Sequence, residues 1–274
     1  MKHRSSNHAA RVTLVALALL FAIPLVWLLL SSFKSQEELV AEPYRLLPRE
    51  WRFENYRDAV QAMPYLRYLR NSLVLCLGSV TGTLCSCTLA AYAFARLRWP
   101  GRDVLFAVLI GTMLLPWHVT MIPRFLLLRE LGLYNSLAAL IVPTFLAEAF
   151  YVFLLRQFFL AIPEELSEAA RIDGGSEWAI FTRVILPLSR PALATVALFQ
   201  FVAAWNDFSG PLLYLSDPDR FPLAYGLEQF VSAYSSQTAL LLAAAVLFTL
   251  PIVVLFFLAQ RTFVEGFRTS GLKG

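Results

Sequence analysis

Charge is what this 274-residue sequence has least of: Asp, Glu, Lys and Arg make up 15% of it, against 58% hydrophobic residues. A soluble domain needs more charge than that to cover an ordinary polar surface, so lipid is the expected solvent. There are three histidines, two of them before residue 10, and no His-Glu-x-x-His or Gly-x-Ser-x-Gly pattern, so no recognisable catalytic set is present and an enzyme is not expected. Nor is there a Gly-x-x-x-x-Gly-Lys-Ser/Thr loop, the usual cradle for nucleotide phosphates, so energy from ATP has to come from another polypeptide. The three cysteines, Cys76, Cys85 and Cys87, share one apolar run, which favours small packing groups over a disulfide framework or a metal site.

The net charge of +4 lies in short pieces between apolar runs rather than along one stripe, which argues against a nucleic-acid partner. Lys2, Arg4 and Arg11 precede an apolar stretch in the manner of a leader peptide. That stretch runs from Val12 to Leu30 and is followed by Ser31, Ser32, Phe33 and Lys34 without a small-x-small cleavage site, so it reads as a retained first span.

A hydrocarbon core about 30 Å thick needs roughly 20 apolar residues in a helix. Six intervals qualify: Val12 to Leu30, Ser72 to Ala95, Val104 to Ile122, Leu137 to Leu155 interrupted by Glu148, Pro191 to Asn206, and Thr238 to Gln260. The fifth is short and is completed by residues around Asp207. The expected fold is therefore an all-α membrane protein of six helices, with an N-tail 1–11, a membrane-spanning body 12–260 and a C-tail 261–274. Lys and Arg number 3, 3, 4 and 3 in the N-tail, the Arg96–Asp103 loop, the Arg156–Arg190 loop and the C-tail. The other side holds 7, 2 and 1, but the 7 sit in one long loop, 34–70, where each counts for less, so both ends are expected to be cytoplasmic. In that loop Trp51, Phe53, Tyr56, Tyr65 and Tyr68 are expected at the headgroup level, or against a partner.

The segment from Pro163 to Pro187 has its own local logic. Pro163 suits a first helical position, Glu164 and Glu165 complement the helix dipole, Gly174 and Gly175 stop the helix, and Ser176 caps a second one running to the Leu186-Pro187 break. Two alanines beside a carboxylate, Glu168-Ala169-Ala170, make a small charged knob suited to a groove in another protein.

With Asp173-Gly174 and Val184-Ile185-Leu186-Pro187, that knob resembles the signature loop of ABC importer permeases, with Val184 where isoleucine is usual. The resemblance implies a type I permease fold in which Glu168, Ala169, Ala170, Asp173, Gly174, Leu186 and Pro187 couple to a cytoplasmic ATPase. Trp205-Asn206-Asp207-Phe208, Pro100-Gly101-Arg102, Leu131-Gly132-Leu133, and the terminal Phe263 to Gly266 and Ser270 to Gly274 resemble the carbohydrate-uptake branch. It further implies a second homologous permease, two ATPase subunits that bind ATP and Mg, an extracytoplasmic solute-binding protein, and no cofactor in this chain.

Glu148, Trp205, Asn206 and Asp207 are the candidate pathway residues: Glu148 because an ionisable group inside a span is costly, the others because ring, amide and carboxylate suit a sugar-sized route. Glu148 packed against a neighbouring helix, and a polar helix end for the other three, are the structural alternatives. Pro116 predicts a kink beside Trp117 and His118, where a lone histidine reads as a packing group. Glycerol phosphate or another non-sugar solute is the alternative cargo. A secondary transporter or channel would need coupling carboxylates, matching halves or a filter motif, and none is evident.

Overall fold

A computed structural model describes residues 2–233 and 237–270, with side chains from residue 10 to residue 257 outside that gap. Among the described residues the chain is helical, without strands. In order, α1 spans Lys2–Ser31, α2 Gln36–Ala41, α3 Glu54–Ala62, α4 Tyr65–Arg96, α5 Arg102–Gly111, α6 Trp117–Glu130, α7 Ala138–Ile141 and α8 Ala149–Ala161. Next come α9 Glu164–Ile172, α10 Glu177–Ile180, α11 Leu186–Leu188, α12 Arg190–Trp205, α13 Ser209–Tyr214, α14 Leu223–Ala233 and α15 Thr238–Ser270.

Three stretches are long and apolar enough to cross a membrane as single helices, Ala10–Ser31, Tyr65–Arg96 and Thr238–Phe257; the number rises to six if each of three bent helix pairs is one span. The bends modify the expected intervals. The third breaks at Pro116, where α5 with its following 3-10 turn meets α6 at 102°. Glu148 does not sit inside a helix: it caps α8 after Ala147 (φ +58°), and the two halves of that pair meet at 40°. The fifth interval ends with α12, and α13 is a separate short helix. Helix structure already begins at Lys2, within the expected N-tail, and α15 runs through most of the expected C-tail; 271–274 lie outside the described residues.

The backbone packs as two compact units. The first comprises the described parts of Met1–Leu66 and Gly226–Pro251. Its loop after α1 is ordered by polar contacts: Asn55 Nδ2 donates to the carbonyls of Ser32 (2.8 Å) and Lys34 (2.9 Å), and the buried Lys34 ammonium donates to the Arg45 carbonyl. Phe33 collects the rings of Trp51, Phe53 and Tyr56 within 5.3 Å. Tyr56 bonds Ser32 Oγ at 2.6 Å and Tyr65 is buried. Of the five loop aromatics only Trp51 and Phe53 stay largely exposed, since Tyr68, at the start of the second unit, is buried too.

The second unit, the described parts of Arg67–Tyr225 and Ile252–Gly274, holds the main core. Cys87, Ala91 and Tyr92 of α4 pack there on Tyr151, Val152, Leu155 and Phe159 of α8, with Ile180, Phe181, Ile185 and Val196. Cys76 and Cys87 are buried packing groups as expected, whereas Cys85 faces outward.

Candidate functional sites: an exposed helical loop and an internal cleft

Both sites lie in the second unit. In the first, α9 starts one residue later than expected, with Pro163 as its N-cap, and stops at Gly174, whose φ of +80° only glycine adopts cheaply. The stop is sealed by Gly174 N–H to the Arg171 carbonyl (3.0 Å) and Gly175 N–H to that of Ala170 (2.8 Å). Ser176 Oγ then caps α10, accepting from Ala179 N–H at 3.2 Å. The second helix does not break at Pro187. It passes through a π turn, Phe181–Ile185, into α11, which carries Pro187; the turn comes at Ser189, and α12 departs at 77°.

Polar clasps hold this loop to its base. Glu177 accepts from Arg171 Nε (2.8 Å) and from the Tyr92 hydroxyl (2.6 Å), so α9, α10 and α4 meet on one carboxylate. The Arg171 bond first, then the Tyr92 bond, holds the Glu177 carboxyl below its ordinary 4.5. Arg96 donates to the carbonyls of Phe159 (2.6 Å) and Ile162, closing the C-terminal end of α8. Ala170, Val184 and Leu186 lean on the core, while Glu168, Ala169, Asp173 and Pro187 are exposed. Beside them Ile172 is 86% and Trp178 64% exposed.

The second site is a cleft of about 380 Å³ between α4, α6, α7, α8, α12 and α13. Ser79, Arg124, Glu148, Gln200, Asp207 and Tyr214 line it, with the Trp117 ring. Of the four pathway candidates, two meet there. Trp205 is turned inward, 1% exposed and stacked on Phe201 at 5.7 Å; Asn206 is exposed and returns its amide to the Val202 carbonyl at 2.8 Å. Asp207 Oδ1 accepts from Gly210 N–H at 2.9 Å. Arg124, Gln200 and Tyr214 escaped the sequence because they come from separate helices with no shared spacing. His118 is exposed, 5.3 Å from the Trp117 ring, and is not part of the lining.

Apolar helices, a braced and exposed helical loop, and a polar internal cleft define a membrane transport component. Residues 82–269 match the family described as "Binding-protein-dependent transport system inner membrane component", and the chain belongs to that family of ABC transporter permeases. It is 33% identical to the diacetylchitobiose uptake system permease protein of Streptomyces coelicolor (90% of this chain, 83% of that one). It is 32% identical to the arabinooligosaccharides transport system permease protein of Bacillus subtilis, over the whole of both. Among solved structures it resembles a chain of a bacterial ABC transporter involved in import of the acidic polysaccharide alginate, with 26% identity, a TM-score of 0.79, and coverage of 95% of this chain and 97% of that one. A second alginate transporter structure, solved with a pentasaccharide-bound periplasmic protein, shares the fold at 15% identity and a TM-score of 0.68, covering 94% of each chain.

Proposed function

We propose that this chain is one of two permease subunits of an importer that carries a sugar or sugar-like solute across the cytoplasmic membrane, driven by a separate ATPase docked on the 163–187 loop. The body 12–260 crosses six times, with loop 34–70 outside and the N-tail 1–11, loop 156–190 and C-tail 261–274 in the cytoplasm. Two ATPase subunits bind ATP and Mg, and an extracytoplasmic protein delivers the solute. Relatives named for diacetylchitobiose and arabinooligosaccharide transport support the cargo class.

The observation that carries docking is the exposure of Ile172 and Trp178 around Glu168 and Ala169 on a loop that is otherwise clasped to the core. Large apolar groups held out rigidly gain free energy only when another surface closes over them. A buried ionic contact that loses one partner costs about 3 to 5 kcal/mol, which is orders of magnitude in affinity. Glu168→Lys and Ala169→Asp should leave the chain in the membrane and the binding protein able to take its solute, while uptake and solute-stimulated ATP hydrolysis collapse in reconstituted vesicles. Full stimulation in both variants would show that the loop does not transmit coupling.

A further inference from the structure

We propose that the cleft of the second unit is itself a subsite for one neutral, polyhydroxylated sugar ring, so that this subunit contacts the solute as well as coupling it. The proposal rests on the chain being a sugar-importer permease and assigns the part of the solute it holds.

One buried polar group of the cleft is left unpaired by the fold. Tyr214, 3% exposed, lines the cleft, and its hydroxyl has no hydrogen-bond partner. Its ring is fixed by stacking on Phe125 at 6.2 Å, and its carbonyl accepts from Asn135 N–H at 2.8 Å. Gln200, 7% exposed, reaches the same space, and no side-chain hydrogen bond engages it among the described residues. Buried hydroxyls and amides are normally paired, because an unpaired one has lost water and gained nothing. An unpaired buried hydroxyl on α13, with an unengaged amide from α12 lining the same cleft, marks a place that a hydrogen-bonding guest completes.

Of the charged groups, Asp207 has one oxygen, Oδ1, taken by Gly210 N–H. Arg124 lines the cleft with Glu148 and Asp207, and no ion pair joins it to either among the described residues. A sugar ring offers what this set needs: hydroxyl hydrogens for the carboxyl groups, hydroxyl oxygens for the guanidinium and the Tyr214 hydroxyl, both for the Gln200 amide, and a C–H face for the Trp117 ring. The volume falls in the range of small-molecule sites. The balance of groups also selects. A uronate would bring a third carboxyl group to a cleft whose single guanidinium already faces two, so a neutral ring is favoured over an acidic one.

The test uses the full transporter in lipid vesicles, with binding protein and ATPase present. The radiolabelled probes are maltose, arabinobiose and diacetylchitobiose as neutral sugars, and an alginate disaccharide as the acidic one. Wild type should take up at least one neutral probe and discriminate more than tenfold against the alginate disaccharide. Asp207→Asn and Gln200→Leu should each lower kcat/KM for that neutral probe about tenfold or more, and the isosteric Tyr214→Phe about fivefold, at unchanged membrane levels. In a background with Cys76, Cys85 and Cys87 replaced, Ser79→Cys should react with a small thiol reagent and be protected by the neutral probe alone. If wild type imports a neutral probe while Tyr214→Phe transports normally and the introduced thiol is unprotected, or if the alginate disaccharide is carried equally well, the subsite is refuted and the importer function stands. If wild type shows no ATP-dependent uptake of any probe, sugar import fails and the subsite with it.

Discussion

Two residues in the docking loop show how a single position constrains the whole. Gly174 turns the chain at φ +80°, and the space around its missing Cβ is empty, so any side chain there is opposed by backbone strain alone. Such strain costs about 1 to 3 kcal/mol for a branched residue and less for asparagine, which visits this region. Gly174→Val should therefore reach the membrane yet lose most solute-stimulated ATP hydrolysis, while Gly174→Asn keeps a substantial part; equal activity in the two would contradict this. Glu177 acts through charge. Because its folded carboxyl is held below its ordinary 4.5, its contribution is complete above that value and is lost as pH falls through the lower folded value. Wild type in detergent should thus show loop proteolysis rising as pH drops below about 4.5, in the range where carboxylates protonate. Glu177→Gln should be cleaved faster at neutral pH with a flatter acid response, and matching profiles would remove the clasp from consideration.

At the scale of elements, what composition could reveal and what it could not separate cleanly. The helices α1, α4 and α15 were legible because a long charge-free run has one stable form in lipid. The two-helix loop was legible because caps and stops are local: Ser176 and Gly174 do what such residues do anywhere. Of the bends, the one at Pro116 was legible from its proline; the one at Glu148 was not, since a count of apolar residues carries no information on backbone direction, and Ala147 gives no glycine-like warning of its φ of +58°. That break survives because α4 repairs it: Ser86 Oγ accepts from Ala147 N–H (3.2 Å), and its single hydrogen is shared between the Gly82 carbonyl (2.9 Å) and the Thr144 carbonyl (3.0 Å). The two elements touch closely, since a Cβ on Gly82 would come within 2.3 Å of Thr144 Oγ1. Ser86→Ala leaves the Ala147 N–H without its partner, at about 1 to 3 kcal/mol for an unpaired group shielded from water. Its melting temperature in detergent should fall by several degrees, and an unchanged value would mean the break does not depend on this hydroxyl. The same gap explains the cleft: Glu148 and Asp207 stood out as rare acids, but their companions Arg124, Gln200 and Tyr214 become a set only when bent helices converge.

For the whole molecule the open quantity is the number of crossings, and parity decides it. The helix α1 is apolar and exposed from Val12 at 69% to Phe21 at 77%, and it is long and apolar enough to cross lipid as a single helix. If only the three unbroken helices cross, the two ends of the chain fall on opposite sides; if each bent pair also crosses, six crossings return both ends to one side. The charge distribution argues for the even number, because the N-tail, the docking loop and the C-tail each carry three or four Lys and Arg residues in short segments. An odd number would expose the basic C-terminal segment outside, against that bias. Epitope tags placed before Met1 and after Gly274 should therefore both resist protease in intact cells stripped of their outer layers, and both be digested in inverted vesicles. A tag at position 44, beside the 94% exposed Tyr44, should behave in the opposite way. Digestion of the C-terminal tag from outside, with the N-terminal one protected, would leave an odd number of crossings and require at least one bent pair to dip into the membrane and return.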